Sequence, residues 1–262
     1  MQNRIHFFQG LVFALLISTS SFSQEVFLGP KLGLSIHKAS FNYPEDEEIF
    51  DQKIQLGYQI GGAFELPLEN IFSFYSELYF TQKGKKTIIV ENGLVNTSKY
   101  YFLEAPIHLR VKFEGGSSVA GPLKYHFDIG PKISYWMGGK GSVGIEGFKK
   151  YKVVFNNDTS QVATGDKLLI SGANRLQWGL NVGAGLEYPV KKKQTVFIDI
   201  RFLFGHSNLV EAEGESDFDI FGYDDDLNVH FNQLVITAAY MFSYDWRKGL
   251  KGKSTIKKRK QF

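Results

Sequence analysis

In the stretch from Lys99 to Phe113, KYYFLEAPIHLRVKF, apolar and polar positions alternate. Tyr101, Leu103, Ala105, Ile107, Leu109, Val111 and Phe113 share one side, and Tyr100, Phe102, Glu104, Pro106, His108, Arg110 and Lys112 share the other. A period of two describes a β-strand with one oily and one charged face; a helix would mix the two sets, and Pro106 would break it. A soluble sandwich buries its oily face, but its outer face would rarely gather Glu, His, Arg and Lys on one strand amid so many aromatics. A transmembrane β-barrel, lipid outside and polar inside, requires this division.

Seven further segments repeat the pattern: Val26–Ile36, Ile54–Leu66, Phe72–Gly84, Tyr125–Met137, Leu176–Tyr188, Thr195–Gly205 and Phe231–Trp246. The last is the least regular, although Leu234, Ile236, Ala238, Tyr240, Phe242 and Tyr244 keep one face apolar. Each segment is near or above the ~9–11 residues that a tilted strand needs to cross a bilayer. The expected fold is therefore all-β: an eight-stranded antiparallel transmembrane β-barrel of up-and-down topology. A soluble, lipocalin-like barrel is the alternative fold. Connections alternate between long (38–53, 84–98, 138–174, 206–229) and short (67–70, 114–122, 189–194). Bacterial barrels put long loops outside the cell and short turns in the periplasm, so both termini are expected to be periplasmic. Pro30, Pro106 and Pro131 fall inside strands of a barrel with no free edge, so a bulge or local break is expected at each.

The ends differ from the middle. Residues 1–23 have Arg4, an apolar run from Leu11 to Ile17 and small residues up to Ser23, which predicts a secretory signal peptide. Residues 24–246 are the expected barrel and 247–262 a basic tail. The tail holds eight Lys or Arg and no acid, so the net charge of +3 conceals −5 over residues 1–246. It reads as a solvated tether. With no cysteine the folded form uses no disulfide, and an exported chain is not expected to meet nucleic acid.

Candidate chemistry is sparse. Gly139–Gly144 spells GxGxxG, but no helix pattern follows, so a loop is expected rather than a dinucleotide site. Asp217-Phe218-Asp219 opens like a calcium loop but lacks the later ligands; Asp224, Asp225 and Asp226 are read as a solvated acidic cluster. His206, Ser207 and His230 near that cluster would be the rim site of an outer membrane hydrolase, the second functional reading; a small diffusion pore is the third. His108 and His126 face inward without metal-ligand spacing, so hydrogen bonding is expected there. No cofactor or metal site is expected.

The inward positions carry Lys31, Glu65, Glu77, Glu104, Arg110, Asp128, Lys132, Glu187, Asp199 and Arg201. Charges held out of water must be paired, hydrogen-bonded or neutralised. They are expected to form a luminal salt-bridge network centred on Glu77, Glu104, Arg110, Lys132 and Arg201 that plugs the barrel, because eight strands enclose a space that side chains fill.

LEAP at Leu103–Pro106, YFTQKGKK upstream of it, GPKLGLS at Gly29, DIRFLFG at Asp199 and the closing NQLVITAAYMF resemble the PorT-like outer membrane β-barrel family of Bacteroidetes. The resemblance spans residues 25–244. It implies an eight-stranded barrel in the outer membrane of a Gram-negative envelope, a signal peptide ending before Gln24, and no known catalytic residues. It also implies a link to the type IX secretion and gliding machinery through PorT itself. The resulting expectation is a non-enzymatic barrel with a structural or interaction role. Its expected partners are outer membrane lipids and lipopolysaccharide, together with cell-envelope or secretion-system proteins. GPK recurs at Gly130, as a four-strand duplication would produce.

Overall fold

The computed structural model describes residues 25–41, 50–68, 71–90, 93–119, 121–144, 149–155, 166–210, 216–217 and 227–245. Strands β1 (Glu25–Phe41), β3 (Gln55–Pro67), β4 (Phe72–Ile89), β5 (Val95–Ser118), β6 (Gly121–Gly144), β9 (Leu176–Lys191), β10 (Gln194–Gly205) and β12 (Val229–Asp245) correspond to the eight expected segments. Each pairs antiparallel with its neighbour in the order β1-β3-β4-β5-β6-β9-β10-β12, and β12 returns to β1. The ring is closed, so no strand of it has a free edge. Four short strands, β2 (Phe50–Lys53), β7 (Lys149–Phe155), β8 (Lys167–Ile170) and β11 (Ser216–Asp217), extend the sheet at one end.

The parity read from the sequence holds around the ring. Leu32, Leu34, Leu56, Ile60, Leu78, Ile107, Leu109, Phe127, Ile129, Ile133, Ile198, Ile200 and Ile236 are exposed on the outside, a solvent contact that only hydrocarbon makes favourable. Two aromatic collars border this band, as expected at the water interfaces. Tyr58, Phe80, Tyr101, Tyr135 and Trp178 lie toward the end with the extra strands; Phe72, Phe113, Tyr125, Tyr188 and Tyr244 lie toward the end with the chain termini. β12 alternates strictly in burial, and its apparent irregularity has a packing cause: Phe231, Val235 and Met241 are apolar but face inward.

Two expectations need correction. Residues 84–98 and 138–144 are not loop: β4 and β5 continue as a hairpin to Ile89 and Val95, and β6 runs on to Gly144. β5 and β6 are 24 residues each, well beyond what a bilayer requires, so the barrel wall projects past the membrane. Gly139–Gly144, expected as a loop, is strand paired to β5 and to β7; Gly141 lies where a Cβ would strike the Tyr151 ring. At the prolines, of the bulge or local break expected, the structure shows the local break. Pairing lapses at Gly29–Pro30 against β12, at Ala105–Pro106 against β4 and at Gly130–Pro131 against β5, and the register resumes unchanged. The register shifts lie elsewhere, at Tyr101/Phe102, Glu114/Ser117 and Gln194/Thr195.

Inside, an apolar cluster fills the projecting end, with Tyr100, Phe102, Trp136, Val143, Tyr151, Leu168, Ile170, Leu209 and Phe231. A smaller one of Ala63, Tyr75, Phe197, Ala239 and Met241 lies toward the termini.

Candidate functional site

Strand alternation points one polar side chain per two residues into a narrow closed ring, and the lumen is where they meet. All ten charged residues assigned to the inward face are buried. Asp199 on β10 is the most connected. Its carboxylate accepts from Lys31 Nζ at 3.0 Å, Arg110 Nη2 at 3.2 Å and Thr237 Oγ1 at 3.1 Å, lies 3.2 Å from Arg201 Nη2, and sits 2.7 Å from His126 Nε2. Arg201 also reaches Glu77 at 2.6 Å and Asp128 at 3.3 Å, and Arg110 reaches Asp128 at 3.0 Å. Lys31 pairs with Glu77 as well. The Arg110 guanidinium lies 3.7 Å from the centre of the Tyr75 ring, which gives the cation an aromatic floor.

Toward the termini, Glu65 and Glu187 both close on Lys112, at 2.5 and 2.6 Å. Toward the projecting end, Glu104 pairs with Lys83 at 2.7 Å and Lys132 at 3.2 Å and accepts from Ser134 at 2.8 Å. The arrangement thus differs from a single network centred partly on Glu104 and Lys132. Those two belong to a triad of their own, and Asp199 is the hub of the larger cluster.

Lys83 and Lys112 are functional members that the sequence reading left out. Their signal was parity alone: Lys112 is on the inward face of the opening strand, and Lys83 is two residues past inward Thr81, at the edge of what read as a loop. With them, six acids (Glu65, Glu77, Glu104, Asp128, Glu187, Asp199) face six bases (Lys31, Lys83, Arg110, Lys112, Lys132, Arg201). The two expected inward histidines are in the same space. His126 bonds Asp199, and His108 Nε2 lies 3.1 Å from Asn181 Nδ2 and stacks on Tyr75.

His126, Asp128 and Asp199 offer ligand atoms close enough together to hold a metal. Their oxygens are already shared with Arg110 and Arg201 at 3.0 to 3.3 Å, and a dication there would face two guanidinium groups. The donor set does not fit a cation.

At the rim, the described contacts of His206 and Ser207 are with Trp178. Ser207 Oγ accepts from the backbone N–H of Trp178 at 3.0 Å, and the His206 ring packs on the Trp178 indole with centroids 4.1 Å apart. Asp219, Asp224, Asp225 and Asp226 lie outside the described residues, as do Glu45, Asp46, Glu47, Glu48, residues 1–24 and 246–262; of Asp217 only the backbone, in β11, is described.

A closed eight-stranded ring, an apolar exterior between aromatic collars and a charged interior are thus combined in one chain. Residues 22–211 match the family model for the outer membrane protein β-barrel domain. The chain belongs to the outer membrane protein β-barrel family. Membership puts it in the outer membrane, with lipid as the partner of its exterior. The match ends before β12, the strand whose pairing with β1 closes the ring of this family member. No curated protein matches the sequence. Among solved structures, OprG from Pseudomonas aeruginosa is similar at 8% identity, with a TM-score of 0.46 and coverage of 84% of this chain and 95% of that one. Ail of Yersinia pestis, solved with the heparin analogue sucrose octasulfate, shows 12% identity, a TM-score of 0.34 and coverage of 83% and 99%. The protease OmpT from Escherichia coli shows 12% identity, a TM-score of 0.31 and coverage of 86% and 99%. None of these likenesses bears on activity.

Proposed function

We propose that this outer membrane barrel is a plugged, non-enzymatic protein with a structural or interaction role, of the PorT-like kind and accessory to protein secretion or gliding machinery. The observation that carries the reading is the lumen. Twelve ionisable side chains, six acids and six bases, cross-link the walls, with apolar side chains packed among and above them, and among the described residues this packing supports a lumen closed to ions and to substrate. Ser207, committed to the Trp178 backbone, speaks against the hydrolase reading. The motifs LEAP, GPKLGLS and DIRFLFG support the PorT-like assignment. The projecting ends of β4–β8 offer a face for other proteins, and in this reading they are extracellular and the termini periplasmic.

Planar-bilayer recording with the purified barrel tests the plug. The expected result is no stepwise conductance from the wild type; steady single-channel openings would replace this reading with a pore. Cross-linking of the tagged barrel in membranes, followed by identification of what co-purifies, tests the role. Recovery of envelope or secretion proteins is expected, and recovery of lipid alone would remove the interaction role.

A further inference from the structure

The outer wall beyond the aromatic collar carries lysines that the sheet register brings side by side. Lys99 on β5 pairs with Lys140 on β6, Lys140 with Lys152 on β7, and Lys152 with Lys167 on β8. All four are exposed, and their chain neighbours Tyr100, Tyr151 and Leu168 are buried, so the lysines point outward. Among the described residues none of the four has an ion-pair partner. A second row, two residues farther from the membrane, places Lys53, Lys86, Thr97, Ser142 and Lys150 in successive cross-strand pairs. The described carboxylates near these rows are Asp51, held by Lys53 at 2.6 Å, and Asp166, exposed beside Lys167.

Strands are ~4.8 Å apart, so four rungs span ~14 Å, and like charges directly opposite each other destabilise a sheet. An anion laid across the row replaces that repulsion with charge-assisted hydrogen bonds. The height of the row identifies the anion. Tyr101 is two residues from Lys99 toward the membrane, a separation of ~7 Å along the strand. Aromatic collars mark the headgroup level, so the row lies where lipid phosphates and sugars are. A single phosphodiester cannot engage four rungs, whereas a glycolipid with more than one phosphate can, and Thr97 and Ser142 add hydroxyls beside it.

We propose that Lys99, Lys140, Lys152 and Lys167 bind the phosphate groups of lipopolysaccharide, the phosphorylated glycolipid of the outer leaflet. The inference rests on the outer membrane reading with the projecting end outward. Native mass spectrometry of the detergent-solubilised barrel tests it, with three probes: lipopolysaccharide, the same glycolipid after phosphatase treatment, and phosphatidylglycerol. The wild type should bind the phosphorylated glycolipid at least about tenfold more tightly than either other lipid. The quadruple variant K99Q/K140Q/K152Q/K167Q should lose that preference while keeping heat-modifiable migration. Equal binding of the wild type to the phosphorylated and dephosphorylated forms, equal competition by phosphatidylglycerol, or an unchanged folded variant would each overturn the proposal. If the variant fails to fold, the wild-type comparison still decides. Labelling of Val90→Cys on intact cells reports orientation independently, so a failed lipid site and a failed topology give different results.

Discussion

Glu104 offers the sharpest perturbation of the plug. Its side chain has no solvent exposure, and the two ammonium groups that it holds, Lys83 and Lys132, are 3% and 4% exposed. Truncation to alanine leaves two like charges in one dry space. Lys132 keeps no other ion-pair partner among the described residues, and Lys83 keeps the faces of Phe102, at 4.3 Å, and Phe231, at 5.6 Å. Breaking a buried pair by removing one partner costs ~3–5 kcal/mol, because the surviving charge has neither water nor a counter-ion. Replacing the whole triad by apolar groups of similar size removes the problem, and such replacements are often neutral or stabilising by ~1–4 kcal/mol. Urea unfolding of the barrel in phospholipid vesicles, followed by tryptophan fluorescence, should therefore show Glu104→Ala destabilised by ~3–5 kcal/mol. Glu104→Leu combined with Lys83→Met and Lys132→Met should lie near the wild type. A cost below ~1 kcal/mol for Glu104→Ala would mean a wet lumen in which exposed-pair energetics apply, and the plug would be refuted.

Other consequences are as direct. Gly29→Ala would put a Cβ 1.9 Å from the Tyr240 carbonyl oxygen, so the heat-modifiable folded band should be lost, whereas Gly62→Ala, whose nearest atom is 3.7 Å away, should fold normally. Because the chain has no cysteine, single cysteines report topology cleanly: a membrane-impermeant maleimide on intact cells should label Val90→Cys at the β4–β5 tip and not Val119→Cys in the β5–β6 turn, and the reverse would invert the barrel. Lys112 joins two carboxylates, so Glu65→Gln or Glu187→Gln alone should cost less than Lys112→Met, which leaves both acids with the more distant Arg110 at 4.0 and 3.9 Å, and that variant should be the most destabilised of the three in the same unfolding assay. Arg201→Ala removes contacts to Glu77, Asp128 and Asp199 together, and if the plug seals the barrel this variant should be the first to show conductance in planar bilayers.

The transmembrane part was legible because a two-sided solvent problem writes itself on every strand. Leu32 and Lys31, or Ile200 and Arg201, are neighbours in sequence and opposites in environment. What lay beyond the bilayer was not legible, because the pattern changes there. Above the collar both faces of β4, β5 and β6 meet protein or water, so Lys85, Thr97 and Ser142 alternate with nothing that distinguishes strand from loop. Partner choice within the lumen was hidden for another reason. Parity says that a side chain points inward but not at what height or across which diameter it lands, and register decides both. Asp199 became the hub because Lys31, Arg110, His126 and Thr237 reach its level from four other strands.

Register also explains why the GPK motif occurs twice. β1 and β6 stand four strands apart in a ring of eight, on opposite walls, and each carries Gly-Pro-Lys: Gly29-Pro30-Lys31 and Gly130-Pro131-Lys132. In both, the proline is exposed to the outside, the lysine is buried, and a Cβ on the glycine would lie 1.9 Å from a neighbouring carbonyl oxygen, that of Tyr240 or Ile107. The missing proline N–H interrupts the ladder, and the glycine admits the approaching backbone. The flanking hairpins match as well. Glu65 and Pro67 at the end of β3 correspond to Glu187 and Pro189 in β9, and Tyr75 and Glu77 in β4 correspond to Phe197 and Asp199 in β10, at a constant spacing. Glu65 and Glu187 meet at Lys112, and Glu77 and Asp199 meet at Lys31. The two four-strand halves thus bring corresponding acids toward the barrel axis from opposite sides, where they would repel. Lys112 joins the first pair with Arg110 behind it, Lys31 and Arg201 join the second, and these bases hold the two halves together across the lumen.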